Sequence, residues 1–515
     1  MRWRAALAGV VALALGLGVA ELVAGAMGRT TTPFVAVGEA FIDLVPPWLK
    51  DLAVEWFGTA DKAVLLGGMA VVFVAGSAAV GVLLATRRRV GLVVMAVLLA
   101  VVVLAVWSRP DTTTIDLVPT VVGALAAIVA LNALIRRAVA AEAEDVAQPV
   151  SVTAAARAGS ASDRRSFLVG AAVTGGLAVA SAGFGRWFGA RRTGVEASRE
   201  GLADQVDLPD ATPPPGADLG VAPTDPWRTP NPDFYRIDTA LSVPLVRAED
   251  WRLRVHGMVE REVTLSYADL VDLGLVDRWA TLTCVSNEVG GGLAGNALWT
   301  GVPIADVLAL AGPSPDADAV RSTSDDGWNA GTPLDVLTDG RDALLAVGMN
   351  GAPLPVEHGF PVRMVVPGLY GYVSATKWVV DLEVTRFDAF EAYWTTRGWS
   401  ERGPVKVASR IDVPRRGDQV EPGPFTVAGV AWAQHRGIAA VEVRLDDGPW
   451  QQADLGAVPS TDTWLQWRWD GDATPGTHQV EVRATTTDGE VQTSDVAPPA
   501  PDGATGWHRV EFDVG

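Results

Sequence analysis

Five long apolar segments near the start of the chain restrict what it can fold into. They are residues 5–27, 63–85, 90–107, 117–135 and 167–185. An α-helix needs about 20 apolar residues to cross the hydrocarbon core of a bilayer, and these segments approach or exceed that length. Any one of them could be a buried core helix, but five within the first 190 residues predict a membrane region.

Arginine clusters beside these segments predict their orientation. The clusters lie at residues 2–4, 87–89 and 136–137, and all three are cytoplasmic if the N-terminus is. The intervening loops, 28–62 and 108–116, carry few basic residues. Five crossings then put everything after the last segment outside the cytoplasm. We therefore expect a multi-pass protein of the cell membrane whose folded domains are extracytoplasmic.

Charge and polar groups argue against several classes of function. A net charge of −19 disfavours nucleic acid as a partner, since phosphate backbones require clustered Lys and Arg. Glu21, near the outer end of the first segment, is better explained as a solvated side chain than as part of a proton path. No histidine precedes His256, so paired imidazoles cannot hold a haem between the predicted spans. A channel or transporter is therefore disfavoured.

The fifth segment begins with paired arginines. Residues 162–168, Ser-Asp-Arg-Arg-Ser-Phe-Leu, resemble a twin-arginine export signal inside the chain. Two arginines before a span are also ordinary topological flanks, and both interpretations stay open. Residues 180–182, Ala-Ser-Ala, could be a cleavage site. We expect the segment to be retained as an anchor, because four other spans already hold the chain.

Changes in composition predict the regions of the chain. They are a four-helix transmembrane region (1–140), a cytoplasmic linker (141–165), a fifth transmembrane helix (166–189), an extended Pro- and Gly-rich linker (190–233), an α+β domain (234–403) and a β-sandwich (404–515). In the α+β domain, residues 343–349 and 361–366 are predicted as strands joined through the turn Asn350-Gly351. Beyond residue 404, runs that alternate at period two have the spacing of an immunoglobulin-like sandwich.

Cys284 is the only cysteine among 515 residues. It follows a predicted strand, 279–283, and precedes a glycine-rich bend, 290–292, where backbone can approach a ligand closely. A thiolate facing such a cleft would suit a soft metal centre. From these residues alone, a buried cysteine that acts as a small hydrophobe is the more common explanation.

Several fragments together resemble the sulfite oxidase family of molybdenum-pterin enzymes. They occur in the family's order and spacing at residues 234–238, 281–287, 295–303, 349–355, 358–363 and 376–378. The resemblance implies a molybdopterin-binding oxidoreductase domain at 234–403 and an immunoglobulin-like dimerisation domain at 404–515. It also implies a Mo-molybdopterin cofactor.

The resemblance implies roles for individual residues as well. Cys284 matches the thiolate that ligates molybdenum. Arg236 and Trp299 match positions beside the oxo groups, where a substrate oxyanion would dock. Positions that hold the pterin and its phosphate match Asn287, His358, Arg363, Ala375, Thr376 and Lys377. Cations and N–H donors are the groups that a dianionic phosphate requires. Without the family, Arg363 would be taken for a surface strand residue and Trp299 for a core anchor.

The chain departs from the family at two places. Sulfite-oxidising members have paired arginines shortly after the asparagine that follows the cysteine, and Glu288-Val289 stands there instead. Losing a cation and adding a carboxylate disfavours a small dianion such as sulfite. Asp238 stands where eukaryotic members commonly have a histidine. The substrate therefore stays open.

We expect, from these features, a membrane-anchored oxidoreductase that performs oxo transfer on a small oxyanion or another oxo-bearing substrate. The sequence has no haem, flavin or iron–sulfur motif, so we expect a separate electron-transfer partner, either a cytochrome or quinone-linked. We also expect a homodimer through the C-terminal domain. Two alternatives stay open: a reductase of sulfoxides such as oxidised methionine, and a non-catalytic surface binding protein on the same scaffold.

Overall fold

The computed structural model describes residues 2–27, 32–45, 61–108, 114–146, 154–203, 206–240 and 243–515. The chain divides into two compact units. One comprises Met1–Gly194 with Ala240–Leu245, and the other comprises Val195–Thr239 with Val246–Gly515. The first unit is helical, and the second carries the β-sheets.

The first unit contains six α-helices in the described residues. They are α1 (Arg2–Met27), α2 (Pro33–Leu44), α3 (Asp61–Thr86), α4 (Arg88–Trp107), α5 (Val118–Val146) and α6 (Ala154–Thr193). Five helical stretches among these residues are long and apolar enough to cross a membrane: Arg2–Met27, Val64–Thr86, Arg88–Trp107, Thr114–Val139 and Ser166–Gly185. Each coincides within a few residues with a predicted segment, so the prediction of membrane-length helices is confirmed. Their orientation stays a prediction.

Helix α1 packs closely against α3, where Gly9 meets the backbone of Ser77, and against α5 and α6. A Cβ added at Gly16 would lie 2.8 Å from the carbonyl oxygen of Gly123 on α5. A Cβ added at Gly18 would lie 2.5 Å from the carbonyl oxygen of Ala178 on α6. Both distances are shorter than a carbon atom can approach, so these glycines let the helix backbones meet directly, as small residues do between membrane helices.

The helices of the first unit extend beyond the predicted segments. Helix α2 lies inside the stretch predicted as a loop and begins at Pro33, whose fixed φ suits a first helical turn. Because α5 continues to Val146 and α6 begins at Ala154, much of the predicted cytoplasmic linker is helical. The side chains of Arg164 and Arg165, the predicted twin-arginine pair, lie outside the described residues.

The α+β domain of the second unit contains ten strands and three short helices in the described residues. The strands are β1 (Arg252–Gly257), β2 (Val263–Ser266), β3 (Val276–Thr283), β4 (Ala294–Pro303), β5 (Ala319–Ser324), β6 (Asn329–Pro333), β7 (Leu344–Met349), β8 (Ala352–Pro353), β9 (Arg363–Val365) and β10 (Val379–Thr385). The helices after α7 (Val195–Ala203) are α8 (Tyr267–Val271), α9 (Ile304–Ala311) and α10 (Leu334–Thr338). One sheet has the order β2-β1-β10-β5-β6, and the other has the order β3-β4-β7-β8 with β9 paired to β7.

The turn at Asn350-Gly351 does not make the predicted connection. Both residues have positive φ, 53° and 76°, as a tight hairpin turn requires. The hairpin joins β7 to the two-residue strand β8. The other predicted strand, β9, pairs with β7 at Leu344–Ala346 instead. The predicted strands are present, but the connection between them was wrong because turn chemistry alone does not identify the partner strand.

A two-sheet β-sandwich follows the α+β domain, as predicted. Its strands are β11 (Ala408–Val413), β12 (Gln419–Val420), β13 (Gly423–Trp432), β14 (Ile438–Leu445), β15 (Gln451–Gln452), β16 (Asp454–Leu455), β17 (Leu465–Ala473), β18 (Gly476–Thr486) and β19 (His508–Val514). The sheet orders are β11-β13-β17-β16 and β12-β19-β18-β14-β15. Alternate residues such as Val480 and Val482 face a shared core with Val427 and Trp467.

The stretch predicted as an extended linker is packed against both domains of the second unit. Residues 190–193 are the end of α6, α7 follows, and beyond α7 the stretch has no regular strand in the described residues. Trp227 is fully buried, and its Nε1 donates a hydrogen bond to the carbonyl of Trp464 at 3.1 Å. Trp464 Nε1 and Asn296 Nδ2 both donate to the carbonyl of Trp227. The stretch is therefore a fixed strap that joins the α+β domain to the sandwich.

Candidate active site

A cleft of about 930 Å³, including space open to solvent, lies in the second unit beside the end of β3. We call it the Cys284 cleft and define it by the lining residues Cys284, Tyr235, Asp238, Ser324, Asp326, Trp328, His358, Arg363, Tyr372, Ala375, Lys377, Trp394 and Trp399. Its wall combines one thiol, a few charged groups and several aromatic rings. Such a mixture of apolar surface and convergent polar groups is typical of a ligand site.

Cys284 sits at the start of the loop that connects β3 to β4. Its N–H donates to the carbonyl of Leu293 at 2.9 Å, and its carbonyl accepts from Asn287 N at 3.1 Å. Asn287 Oδ1 also accepts from Leu293 N at 2.7 Å, so both ends of the loop are tied to the asparagine. Burial raises the pKa of the Cys284 thiol, and hydrogen bonds from Ser286 oppose that rise. The loop thus holds one sulfur atom, largely shielded from water, in the wall of the cleft.

Arg363, at the start of β9, is a buried cation. Its guanidinium donates to two carbonyls, Met364 O at 3.3 Å and His358 O at 3.1 Å, and to no carboxylate among the described residues. It lies 5.0 Å from the ring centroid of Trp299. Burial lowers the pKa of Arg363 to about 10. A guanidinium that lines a cleft without an acidic partner is poised to bind an anion.

Lys377 is the second buried cation of the cleft, and it has an acidic partner. Its Nζ donates to Asp238 Oδ2 at 2.6 Å and to the carbonyl of Glu357 at 3.1 Å. Asp238 Oδ2 also accepts from Arg236 Nε at 2.9 Å. Burial lowers the pKa of Lys377 to about 8, and Asp238 opposes that fall. One carboxylate therefore serves two cations.

His358 ends a single 3₁₀ turn, Val356–His358, between β8 and β9. Its Nε2 lies 3.2 Å from the carbonyl of Asn231, so this nitrogen carries the proton and donates. Burial, followed by the charges of Arg363 and Lys377, lowers the pKa of His358 to about 4. The ring is consequently neutral near pH 7 and offers hydrogen bonds, not charge.

Four of the residues predicted for the site do not line the cleft. Asn287 positions the Cys284 loop, and Thr376 is fully buried with its hydroxyl 2.6 Å from Ser322 Oγ. Trp299, predicted beside the oxo groups, is fully buried and donates its Nε1 to the carbonyl of Ala280. It supports Arg363 from the core, so the core-anchor interpretation describes it better. Arg236 is 40% exposed and turned to Asp238, at the rim of the cleft.

Glu288-Val289 lies outside the cleft. Glu288 is exposed, and both residues line a separate small pocket that also contains Val407 and Trp432 at the edge of the sandwich. Glu288 therefore does not line the cleft, because position in a motif does not determine which way the loop turns. The statement that the pair disfavours a small dianion such as sulfite stays a prediction.

Comparison with known proteins identifies relatives of the chain. The family described as "Oxidoreductase molybdopterin binding domain" matches residues 240–394. Sulfite oxidase of Gallus gallus is 31% identical over 319 residues, which cover 52% of this chain and 69% of that protein. The chain belongs to the sulfite oxidase family.

The similarity to this family is partial in length. Mitochondrial sulfite oxidase of Homo sapiens is 32% identical over 279 residues, so the match spans about half of that relative (50%) and 45% of this chain. Among solved structures, the sulfane dehydrogenase SoxCD from Paracoccus pantotrophus aligns at 22% identity and a TM-score of 0.48, covering 61% of this chain and 92% of that one. The matched domain is that of a molybdopterin-dependent oxidoreductase, and its cofactor is Mo-molybdopterin.

The lining of the Cys284 cleft suits that cofactor. Arg363 and Lys377 supply the positive charge that a pterin phosphate needs, and His358 adds a neutral imidazole. Cys284 supplies a sulfur donor for a soft metal. Ser324 is 2% exposed, and its Oγ has no hydrogen-bond partner among the described residues. A buried hydroxyl without a partner is costly, so a bound polar ligand at this wall is a natural explanation.

The sequence interpretation missed several residues of the cleft. Tyr235 lies inside a fragment that pointed to the family, yet it had no assigned role; burial, then the nearby Cys284, raises its pKa. Asp326 and Ser324 come from the β5–β6 hairpin, which has no motif of its own. Trp394 and Trp399 lie beyond the last matched fragment. The sequence feature that could have indicated this part of the cleft wall is the presence of two tryptophans in one short polar loop.

Proposed function

We propose that the chain is a membrane-anchored, extracytoplasmic molybdopterin oxidoreductase that transfers an oxo group at a molybdenum ligated by Cys284. The single observation that carries this proposal is the Cys284 cleft, where the only thiol of the chain shares a wall with a buried guanidinium that meets no carboxylate in the described part of the chain. Family membership supports the cofactor, and the cleft offers this chain's own residues to hold it.

In this proposal, different residues of the cleft bind different parts of the cofactor. Cys284 would hold the metal through its sulfur, as a thiolate. Arg363 offers a fork of N–H donors to the phosphate, Lys377 a point charge, and His358 its ring. Ala375 lies in the wall of the cleft, next in the chain but one to Lys377. Asn287 and Thr376 keep the two loops in position without contacting the ligand.

The bound cofactor supplies the oxo-transfer chemistry, in which the metal changes oxidation state. The protein binds, orients and shields it. The geometry changes the catalytic roles that were predicted for Trp299 and Arg236. Trp299 acts through Arg363 as a positioning residue, and Arg236 reaches the cleft only through Asp238.

We further propose an electron-transfer partner, a membrane topology and an oligomeric state. Electrons pass to or from a separate partner, a cytochrome or a quinone-linked protein. The five membrane-length helices anchor the chain in the cell membrane with the second unit outside, which places residue 515 outside and residue 150 inside. The sandwich is immunoglobulin-like and forms a homodimer. The predicted bounds of the α+β domain and the sandwich are kept, with residues 195–233 added to the same unit. The paired arginines at 164–165 act as a twin-arginine signal.

Metal and pterin analysis of the purified full chain, together with Cys284→Ser, tests the proposal. Cys284 is 9% exposed, and Ser286 already donates to its sulfur, so a serine hydroxyl would keep partners and cost about 1 kcal/mol. We expect the variant to fold and retain pterin, because the phosphate contacts remain, while turnover and the thiolate–metal absorption are lost.

Two results would remove the proposal. One is the absence of molybdenum and pterin from the natively expressed protein, which would favour a non-catalytic binding protein on the same scaffold. The other is wild-type activity in Cys284→Ser with unchanged absorption. Cys284→Ala serves as the packing control, since it deletes the donor atom and should share the loss of turnover.

A further inference from the structure

We propose that Gln434, a residue of the β-sandwich, is a positioning residue for Cys284. It holds the end of β3 from the side that faces away from β4, and so fixes the direction in which the Cys284 sulfur enters the cleft. The inference rests on the proposed function, because it takes Cys284 as the metal ligand. It deepens that function by giving the sandwich a part in the site that is separate from dimerisation.

The first support is the outer edge of β3. This strand lies at one end of its sheet beside β4, so alternate residues turn their N–H and C=O groups away from the sheet. Thr281 is one of these residues, and it is buried. Its N–H donates to the carbonyl of Asp462 at 2.9 Å, and its carbonyl accepts from Gln434 Nε2 at 3.1 Å. Residues of the sandwich therefore satisfy backbone groups that a buried edge strand would otherwise leave without partners.

A second hydrogen bond brings Gln434 one step closer to the thiol. Its Nε2 also donates to Thr283 Oγ1 at 2.8 Å, so a single amide group bridges Thr281 and Thr283. Cys284 follows directly, and its own N–H donates on the β4 side to the carbonyl of Leu293 at 2.9 Å. The backbone that carries the sulfur is thus held from both sides of the strand. Metal ligands need to be fixed to within about 0.5 Å by supporting hydrogen bonds, and Gln434 supplies such support.

The second support is that the side-chain hydrogen bonds of Gln434 serve β3 and not the sandwich. Gln434 is 2% exposed, and its Oε1 has no hydrogen-bond partner among the residues that the structure describes. A buried acceptor without a partner lowers stability, so the needs of the sandwich core do not explain this amide. Both of its hydrogen bonds run instead to the strand that precedes Cys284.

The turn that carries Gln434 is itself held in place. Gly437 N donates to the carbonyl of Ala433 at 2.8 Å, which closes the turn between β13 and β14. His435 Nδ1 lies 3.3 Å from Asp462 Oδ1, which ties the turn to the segment before β17 that also contacts β3. Because the turn is fixed at both ends, the amide acts on β3 as a rigid support.

The reactivity of the thiol tests this role without any cofactor. Cys284 is the only cysteine of the chain and is buried, so an aromatic disulfide reagent such as dithiodipyridine reports a single site and reacts when the loop opens. The cofactor-depleted full chain is assayed in detergent at one pH. Gln434→Met keeps the length of the side chain and removes both donors. We expect the rate of thiol modification to rise about 10-fold, since each lost hydrogen bond favours opening by roughly 2- to 10-fold.

Gln466→Met is the matched control. Gln466 also lies buried in the sandwich, where its Nε2 donates to the carbonyl of Asp225 at 2.8 Å and its Oε1 accepts from Leu219 N at 2.6 Å. Neither hydrogen bond goes to β3. This variant should lose a similar amount of global stability, measured by denaturant unfolding, while the rate of thiol modification changes by less than about 2-fold.

Thr283→Val tests the same contact from the other side and does not depend on the folding of a Gln434 variant. It keeps the β-branched shape and removes the acceptor, so it should raise the rate of thiol modification by itself. Combined with Gln434→Met it should add little, because the two residues share one hydrogen bond and their effects are not independent.

The loaded protein gives a second readout. Gln434→Met should retain molybdenum and pterin, because the phosphate contacts of the cleft are untouched, and it should shift the thiolate–metal absorption. Turnover should fall by about 10-fold or more, as it does when a hydrogen-bond partner behind a metal ligand is removed. Gln466→Met should leave the absorption unchanged.

Unchanged thiol reactivity in both Gln434→Met and Thr283→Val would overturn the inference. So would an equal rise in Gln466→Met, which would indicate general loosening of the sandwich, or fully independent effects in the double variant. The proposed function fails differently: a purified protein without molybdenum and pterin removes oxo transfer, while the thiol measurement on the cofactor-free chain still decides whether Gln434 holds Cys284.

Discussion

Asp238→Asn should destabilise the cofactor-free protein by an amount that depends on pH. Lys377 Nζ lies 2.6 Å from Asp238 Oδ2, and both side chains are at least nine-tenths buried. Removing one partner of a buried ion pair usually costs about 3–5 kcal/mol, because the other charge is left unpaired. Here the lysine can lose its proton and become neutral, so the free-energy cost of the substitution has an upper limit below that range.

The upper limit of this cost is set by the pKa of Lys377, which burial lowers from 10.5 to about 8 in the folded protein. Because the unfolded lysine binds its proton more tightly, the folded state bears a penalty that is full below pH 8 and disappears as pH rises from 8 to 10.5. Without Asp238 the folded pKa falls further, and at pH 7 the lysine is neutral. The extra penalty is then at most about 1 kcal/mol at pH 7 and at most about 3 kcal/mol at pH 6, because each pH unit below 8 adds about 1 kcal/mol, and it is near zero at pH 9.

Denaturant unfolding of the cofactor-depleted full chain in detergent, followed by tryptophan fluorescence at pH 6, 7 and 9, measures these differences. Asp388→Asn is the matched control: Asp388 also pairs with an arginine two residues earlier, at 3.1 Å, but it is 71% exposed and touches no buried lysine. Its replacement should cost below about 1 kcal/mol at every pH. A loss in Asp238→Asn that is the same at pH 6 and pH 9 would refute the reasoning, because proton release by Lys377 could not then be limiting the cost.

Further predictions concern topology, export and electron transfer. A reporter fused after Gly515 should be active only outside the cytoplasm, and one fused near Val150 only inside; the reverse result would reject the five-span orientation. Replacing Arg164 and Arg165 with lysines should block export of residues 190–515 while the earlier spans still insert; unimpaired export, measured by protease accessibility, would make the pair ordinary flanks. The isolated chain should need an artificial mediator for turnover, and stoichiometric haem or flavin in the purified protein would contradict a separate electron partner.

The parts of the fold that could be predicted are those governed by local pattern. A run of about 20 apolar residues has few outcomes, because backbone groups in lipid must be satisfied within the segment. The five membrane-length helices therefore appear where expected. The alternating runs beyond residue 404 likewise became the two sheets of the sandwich, since period-two burial leaves one face for a core.

Residues of the site could be predicted from the sequence only where few other side chains could supply the same chemistry. Cys284, His358, Arg363 and Lys377 all line one cleft, although they come from three separate stretches of the second unit. Trp299 and Asn287 belong to the same set of matched fragments and do not line it. Their side chains turn toward the core or back into their own loop, and that direction depends on tertiary packing, which a motif does not encode.

The electrostatic character of the cleft was even less accessible from the sequence. Two acidic departures from the family, Glu288 and Asp238, were visible there, and the first suggested a site less suited to a small dianion such as sulfite. Only Asp238 lies in the cleft, where one carboxylate accepts from Lys377 and Arg236 together. The carboxylate that meets the cations of the cleft thus comes from a pairing across 139 positions. Which cations already have partners is a property of the folded cleft and not of its motifs.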